Sequence, residues 1–225
     1  MVTGKIKSII FDMDGTLIDS LILWGPIWSG LGKKFLNDAS FYPGEALDRE
    51  ARTLCMLDAM TKVHNVCHIG KDPEELVFAT NEIIRDFYAN EVQLKKGVRE
   101  FLDACFEGGV RMCIASATDP ELLEVALDSC DFRRYFPRVF SCGAIGKGKE
   151  SPDVFLYASD FLGTAIEDTW VFEDSATAIV TANRAGFKTC GIYDRNNFGQ
   201  DIIKATSDIY IDDGDDLASL IKYVK

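Results

Sequence analysis

Residues 9–20 read IIFDMDGTLIDS, an apolar run that ends in two aspartates spaced two residues apart. Asp12 and Asp14 are followed directly by Gly15 and Thr16. Alternate side chains of a strand share a face, so the two carboxylates are predicted to point the same way, at a cost in mutual repulsion. A bound cation is one group that would offset this repulsion.

Around this stretch, apolar runs of strand length alternate with helical patterns along most of the 225 residues. Such alternation is typical of a parallel sheet covered by helices on both faces, and it predicts an α/β fold. Asp119 and Pro120 mark the start of one helix, and Gly108–Gly109 marks the end of another. Strands are expected at residues 6–11, 110–115, 139–142, 169–172, 188–192 and 208–211.

The segment from residue 19 to residue 91 breaks this alternation. It contains only helical patterns, near residues 19–35, 45–63 and 73–90, separated by proline and glycine. We therefore expect a helical insert over residues 19–91, while residues 1–18 and 92–225 form the sheet-containing core.

Composition limits the classes of partner and the cellular location. The chain has 24 basic and 36 acidic residues, a net charge of −12, which disfavours nucleic-acid binding because that affinity depends on Lys and Arg. No signal peptide or membrane-spanning stretch is recognisable, and the seven cysteines form no C-x-x-C pair. We expect a soluble cytoplasmic protein with reduced, mostly buried thiols and no membrane contact.

Polar residues follow several of the predicted strands. Ser116 follows one strand, Lys149 lies in the loop after the next, and Glu173 and Asp174 follow a third. Ligands of open parallel sheets bind beyond the carboxyl ends of the strands, where these side chains would meet Asp12. Carboxylates are the hard ligands that Mg²⁺ takes, and a lysine and a serine hydroxyl can hold phosphate oxygens. Phosphoryl transfer needs mainly positioning and charge neutralisation, which these residues supply.

At these residues the chain resembles the haloacid dehalogenase superfamily, in its phosphatase and phosphomutase branch. FDMDGTLIDS is similar to the family's first motif, IASAT to the second, KESPDVF to the third and VFEDSATAIVTANRAG to the fourth. One departure is Ala178, where the family usually has glycine. The resemblance implies a Rossmann-like core with a helical cap inserted after the first motif, which agrees with the insert expected from the pattern.

The resemblance also implies roles for the acidic residues. Asp12 would be the nucleophile that forms an aspartyl-phosphate, and Asp14 the acid/base that protonates the leaving oxygen and then activates water. Mg²⁺ would be held by the main-chain carbonyl of Asp14 and the carboxylates of Asp12 and Asp174, with Glu173 a ligand directly or through water. An aspartate at position 14 disfavours the dehalogenase branch, which needs no acid there.

The same resemblance implies a catalytic lysine and a phosphate site. Lys149 is the lysine with the matching spacing to the Pro-Asp pair that follows it. Gly15, Thr16, Ser116 and Ala117 are expected to bind phosphate, although the Ser116 hydroxyl could instead cap a helix.

Several other residues have simpler explanations. Lys147 is expected on the surface. His64 and His68 have the spacing of zinc ligands on a helix, but their position next to a glycine favours an ordinary helix end. Arg49 and Arg52 could bind a second anionic group, but on a helix they are more often solvated. The aromatic residues of the insert, with Trp24 and Trp28 at helical spacing, suit either a core or a substrate pocket.

These observations favour a Mg²⁺-dependent phosphatase that acts on a small phosphorylated metabolite. The alternative within the same branch is a phosphomutase of the β-phosphoglucomutase type. Two other classes are a phosphate-sensing module without turnover and a receiver-type signalling domain, although a receiver would lack the long helical insert. Neither the substrate nor the choice between monomer and homodimer follows from the sequence.

Overall fold

The structure is a computed structural model that describes residues 5–224. Within them lies a six-stranded parallel sheet in the order β3-β2-β1-β4-β5-β6. This arrangement confirms the predicted α/β class. Each strand lies close to its expected range: β1 (Ser8–Phe11), β2 (Arg111–Ser116), β3 (Val139–Ser141), β4 (Thr169–Glu173), β5 (Lys188–Ile192) and β6 (Ile209–Ile211).

The central strands are buried on both faces, as a parallel sheet with helices on either side requires. All residues of β1 and β4 are buried. Phe11 packs against the rings of Phe101, Phe136 and Phe172, with centroid distances of 6.3, 5.8 and 5.0 Å. Aromatic pairs in these arrangements add about 1 kcal/mol each beyond their buried area, so β1 is firmly held.

The strand order reverses beside β1. The chain passes from β1 through β2 to β3 at one edge and then returns to β4 on the other side of β1. Phe11 pairs with Phe172 in the ladder, and the Asp12 amide donates to the Phe172 carbonyl at 2.9 Å. Asp12 and Glu173 therefore lie side by side at the carboxyl ends of β1 and β4. This is the point at which ligands of such sheets bind.

Helices cover the sheet, and the regular secondary structure of the insert is also helical. Residues 19–91 contain helical segments and no strand, as the pattern predicted. The division into a core of residues 1–18 and 92–225 and a separate cap stays a prediction, and residues 1–4 and 225 of that core lie outside the described residues. The helices are α1 (Trp24–Leu36), α2 (Glu45–Ala51), α3 (Met56–Cys67), α4 (Pro73–Asn90), α5 (Val98–Glu107), α6 (Pro120–Ser129), α7 (Cys142–Ile145), α8 (Asp153–Leu162), α9 (Ala176–Arg184) and α10 (Gln200–Thr206).

The helical pattern near residues 45–63 corresponds to two helices, α2 and α3, with a break between them. The amides of Thr53 and Leu54 donate to carbonyls three residues earlier, and the Thr53 hydroxyl also donates to the Glu50 carbonyl. These hydrogen bonds form a tighter, 3₁₀-type turn that ends α2. Cys55 then has the extended conformation that precedes α3. The break produces a loop, residues 52–55, on the side of the insert that faces the sheet edge.

The histidines lie at a helix end, as the simpler explanation had it. Nδ1 of His64 lies 2.8 Å from the Ile69 carbonyl oxygen, and His68 terminates α3 in the left-handed conformation, with φ of 54°.

Ala178, the departure from the family pattern, is fully buried in α9. All seven cysteines are free thiols and five of them are buried. Among the described helices, none has the length and apolarity needed to cross a bilayer.

Candidate active site

Asp12 forms the centre of a buried charge cluster at the end of β1. Lys149, from the loop that precedes α8, donates hydrogen bonds to the carboxylates of both Asp12 and Glu173. The side chains of the lysine and the two acids are 11%, 7% and 1% exposed. Burial disfavours the charged lysine, but the two carboxylates outweigh it and raise the pKa of Lys149. Lys147, by contrast, lies at the surface and pairs with Asp153 at 2.8 Å.

Three buried carboxylates meet in this cluster. One oxygen from each of Asp12, Glu173 and Asp174 lies within 4.8 Å of the others. Burial, reinforced by Glu173 and Asp14 and opposed by Lys149, raises the pKa of the Asp12 carboxyl from 3.8 to about 8. Burial and the charges of Glu173 and Asp12 also raise the pKa of Asp174. Three carboxylates facing one lysine leave negative charge uncompensated, so the donor set fits a hard divalent cation such as Mg²⁺.

Gly15 lets the loop after β1 approach Asp174 closely. Its φ is +78°, and a Cβ there would meet Oδ2 of Asp174 at 2.3 Å. Either condition alone disfavours every other residue. Thr16 is fully buried and directs its hydroxyl to Oδ1 of Asp174 at 3.4 Å. Neither Gly15 nor Thr16 lines the cavity described below. Their contacts in the structure are with Asp174, which they help to position. Direct phosphate binding by these two residues stays a prediction.

Asp14 accepts hydrogen bonds from three hydroxyl groups in different parts of the chain. Ser20, just before the insert helices, donates at 2.6 Å, and Thr118, after β2, donates at 2.8 Å. The third donor is Tyr88, near the end of α4. Burial and the charge of Asp14 raise the pKa of Tyr88 well above its usual value, which keeps its proton available for donation. The carboxylate of Asp14 is therefore held between the sheet edge and the helical insert.

Two of the predicted phosphate-binding positions, Ser116 and Ala117, lie at the end of β2 and directly after it. The Ser116 side chain is buried and its oxygen accepts the Thr118 amide proton at 3.1 Å. Ser116 and Ala117 both line the same cavity as Asp12 and Lys149. Asp119 begins α6 as predicted, although its carboxylate accepts from the Asn81 side-chain amide at 3.0 Å instead of capping the helix.

Two further residues hold the site together, and the sequence analysis missed both. Lys95 donates from its ammonium group to the carbonyl of Gly15 at 2.6 Å, to the carbonyl of Tyr193 at 2.9 Å and to the carboxylate of Asp194 at 2.7 Å. The Asn197 side-chain amide donates to Oδ2 of Asp174 at 2.6 Å and to its carbonyl at 2.9 Å.

Arg52 is not the solvated surface residue that we expected. Its side chain is 17% exposed and pairs with the buried carboxylate of Asp48 at 3.0 Å. It also donates to the Asn196 carbonyl at 3.1 Å, so it links the helical insert to the loop after β5. The same Asp48 carboxylate accepts from the Trp28 indole at 2.7 Å, which places Trp28 in the core of the insert, whereas Trp24 lines the cavity.

The cavity between the sheet edge and the insert has a volume of about 200 Å³. This is smaller than the roughly 300–1,000 Å³ of a typical drug-sized ligand pocket. Its floor includes Asp12, Asp14 and Lys149, and its opposite wall comes from the insert. Asp12, the second carboxylate of Asp14 and Lys149 therefore line one small cavity, together with Glu173 and Asp174.

The chain is similar to several known proteins. A phosphorylated carbohydrates phosphatase from Thermotoga maritima is 24% identical over 206 residues, 88% of this chain and 91% of that protein. CbbY from Rhodobacter sphaeroides in complex with phosphate is 20% identical, with a TM-score of 0.81 over 96% of each chain. A putative β-phosphoglucomutase from Thermotoga maritima is 21% identical, with a TM-score of 0.77 over 97% of this chain and all of that one.

The family model of haloacid dehalogenase-like hydrolases matches residues 6–186, a range that includes all four motifs. The TM-scores of the two similar structures show that they share the fold of this chain. This chain belongs to the haloacid dehalogenase-like hydrolases.

Proposed function

We propose that the protein is a Mg²⁺-dependent phosphatase that hydrolyses the phosphate monoester of a small metabolite. The observation that carries the proposal is the position of Asp12 and Asp14 on the floor of one cavity, with Lys149 hydrogen-bonded to Asp12. The name of the Thermotoga maritima phosphatase supports this reaction class. In this proposal residues 19–91 act as a cap over a core of residues 1–18 and 92–225.

Asp12 would supply the nucleophile. Its carboxylate oxygen forms a bond to phosphorus while the bond between phosphorus and the ester oxygen breaks, which gives an aspartyl-phosphate. Lys149 and Ser116 hold the phosphate oxygens, since both lie at the same cavity. Lys149 also donates hydrogen bonds to both Asp12 and Glu173, so its positive charge lies between their two negative charges.

Asp14 would move the protons. It gives a proton to the departing ester oxygen and later takes one from the water that attacks phosphorus, which releases inorganic phosphate and restores Asp12. The hydroxyl groups of Ser20, Thr118 and Tyr88 orient its carboxylate.

Mg²⁺ would be held by Asp12, Asp174 and the Asp14 main-chain carbonyl, with Glu173 bound directly or through water. When bound, the ion neutralises charge on the phosphate and on the surrounding carboxylates. The closeness of three carboxylate oxygens supports this assignment.

The test is phosphate release from a panel of phosphorylated metabolites and p-nitrophenyl phosphate, with Mg²⁺ and with a chelator. We expect release with Mg²⁺, loss of release with the chelator, and a fall of at least about 10³-fold in Asp12→Asn. Undiminished turnover in that variant would remove Asp12 from the mechanism. Absence of turnover on the whole panel would favour the non-catalytic phosphate-sensing alternative.

The phosphomutase alternative is separated by its product. The protein is incubated with Mg²⁺, β-glucose 1-phosphate and a trace of glucose bisphosphate, and both glucose 6-phosphate and free phosphate are followed. A phosphatase yields free phosphate, because water attacks the phosphoenzyme. Formation of glucose 6-phosphate well ahead of free phosphate would establish the mutase instead.

A further inference from the structure

The walls of the cavity carry an excess of negative charge. Among the described residues that line it, the basic ones are Arg52 and Lys149. The acidic ones are Asp12, Asp14, Asp119, Glu150, Glu173 and Asp174. Even with one divalent cation bound, and with Asp14 carrying the proton that it donates in the proposed mechanism, the other five carboxylates face only four positive charges, before the phosphate itself is counted. An additional anionic group on the substrate would therefore enter a negative field.

Both basic side chains already pair with carboxylates of the protein. Lys149 is bonded to Asp12 and Glu173, at the position of the reacting phosphate. Arg52 faces the cavity from the insert, but its Nε donates to Asp48, whose side chain is only 5% exposed. Arg52 also donates to the Asn196 carbonyl, and its guanidinium carbon lies 5.4 and 5.6 Å from the rings of Trp24 and Phe198.

Most of the cavity wall that comes from the insert is apolar. The side chains that form it include Trp24, Ile27, Leu54, Met56 and Ile84, with Leu122 of α6 beside them. A carboxylate or a second phosphate placed against these groups would lose its hydration without gaining a partner, which is costly for a charged group. An uncharged portion of a substrate would pay no such penalty.

We propose that the enzyme selects monophosphate esters whose leaving group is uncharged, and that it rejects esters with a second phosphate or a carboxylate. This inference rests on the proposed phosphatase function. It assigns the selectivity to the Asp48–Arg52 ion pair, which cancels the one positive charge of the insert wall, and to the acidic residues opposite.

Matched substrate pairs test the proposal on the unmodified protein. Glycerol 3-phosphate and 3-phosphoglycerate differ only by a hydroxymethyl group against a carboxylate, and fructose 6-phosphate is paired with fructose 1,6-bisphosphate. All four are compared with p-nitrophenyl phosphate by phosphate release at fixed Mg²⁺. We expect kcat/KM to favour the member with the uncharged leaving group by at least about 30-fold in each pair.

A charge variant tests the assigned cause. Asp48→Asn keeps the shape of the side chain and an acceptor oxygen but leaves the Arg52 charge uncancelled. We expect the preference for the uncharged member to shrink by at least about threefold, mainly through a lower KM for the charged one. Glu82→Gln is the control, because Glu82 pairs with Lys34 on the exposed surface of the insert and is absent from the cavity. It should leave the preference unchanged.

The outcomes separate this inference from the proposed function. Equal or faster hydrolysis of the charged members by the unmodified protein would overturn the inference while leaving the phosphatase function intact. An unchanged preference in a folded Asp48→Asn variant would overturn the role of the ion pair. Lack of phosphate release from every compound, p-nitrophenyl phosphate included, would overturn the proposed function and this inference with it.

Discussion

Asp14 shows how much of the proposed chemistry depends on single hydroxyl groups. Its carboxylate accepts from Ser20 and Tyr88 on one oxygen and from Thr118 on the other. Ser20 and Thr118 lie close to the sheet edge, whereas Tyr88 belongs to the long helix α4 of the insert. The residue that would transfer protons is therefore oriented partly by the helical insert.

Tyr88→Phe should weaken proton transfer without removing the nucleophile. With an alkyl phosphate, whose leaving oxygen needs a proton, we expect kcat to fall about tenfold. With p-nitrophenyl phosphate, whose leaving group departs without protonation, phosphorylation of Asp12 should change little. The control is Tyr42→Phe, which removes a half-exposed hydroxyl that bonds to Asp48 at 3.3 Å. The phosphorylation rate is measured in the first turnover, and equal losses of that rate on the two substrates would contradict a role of Tyr88 in protonating the leaving group.

Lys149→Ala and Lys147→Ala should differ strongly although the two residues are neighbours in sequence. Lys149 is buried against Asp12 and Glu173, while Lys147 is exposed and paired with Asp153. Loss of Lys149 leaves the phosphate beside uncompensated carboxylates, so we expect kcat/KM to fall by about 10²–10³-fold or more. Lys147→Ala should stay near the parent value. Similar activities for the two variants would contradict the assignment of Lys149.

At the scale of elements, the loop between β5 and α10 connects the site to the insert. Asp194 bonds to Lys95, Asn197 to Asp174, and the Asn196 carbonyl to Arg52. Phe198 lies 4.3 Å from the guanidinium carbon of Arg49. One short loop thus contacts a metal-ligand candidate on one side and helix α2 on the other.

Lys95→Met should destabilise the protein much more than Lys96→Met. The first change removes three hydrogen bonds and leaves the Asp194 carboxylate, whose side chain is 2% exposed, without its cation. Loss of one partner of a buried pair costs about 3–5 kcal/mol of unfolding free energy. Lys96 is 76% exposed and pairs with Asp216 at 3.5 Å, so its loss should cost about 0–1 kcal/mol. Denaturant unfolding measures both values, and equal costs would contradict this role of Lys95.

The sequence predicted the elements more completely than the contacts between them. The apolar runs located all six strands, and FDMDGT together with FED identified the carboxylates that converge. Lys95 was missed because a lysine in LKKG has no periodicity or motif that sets it apart, and its partner Asp194 is 99 residues away. The break at residues 52–55 was missed because it depends on Thr53 bonding to its own helix, which a hydrophobic pattern does not reveal.

At the scale of the whole molecule, the buried carboxylates that the proposed activity needs lower the stability of the metal-free protein. Asp12 and Asp174 are buried beside Glu173, and burial raises the pKa of both carboxyl groups. A carboxyl whose pKa is higher in the folded state releases its proton more readily in the unfolded chain. It therefore lowers the stability of the metal-free protein progressively as pH rises above the usual value of 3.8 towards the folded value. Ordered charge of this kind is typical of functional sites.

Asp174→Asn should reveal this cost. In a chelator at pH 8 we expect a higher Tm than that of the parent, because the amide is neutral and can still accept from Asn197. The advantage should shrink as pH falls towards about 3, where the parent carboxyl is mostly protonated in both states. Added Mg²⁺ should raise the Tm of the parent and have little effect on the variant. A variant that is less stable than the parent in the chelator at pH 8 would contradict this account.

The central claim is that Asp12 becomes phosphorylated, and the most direct measurement is to locate the phosphoryl group. Asp14→Asn is mixed with Mg²⁺ and radiolabelled p-nitrophenyl phosphate, quenched in acid within milliseconds to seconds, digested, and each labelled peptide is identified. The leaving group needs no proton, whereas hydrolysis of the aspartyl-phosphate needs Asp14 as a base, so label should accumulate. We predict label on the peptide that contains Asp12 and none in the Asp12→Asn, Asp14→Asn double variant. Label on another peptide, or p-nitrophenol release by Asp14→Asn without labelled protein, would contradict the account.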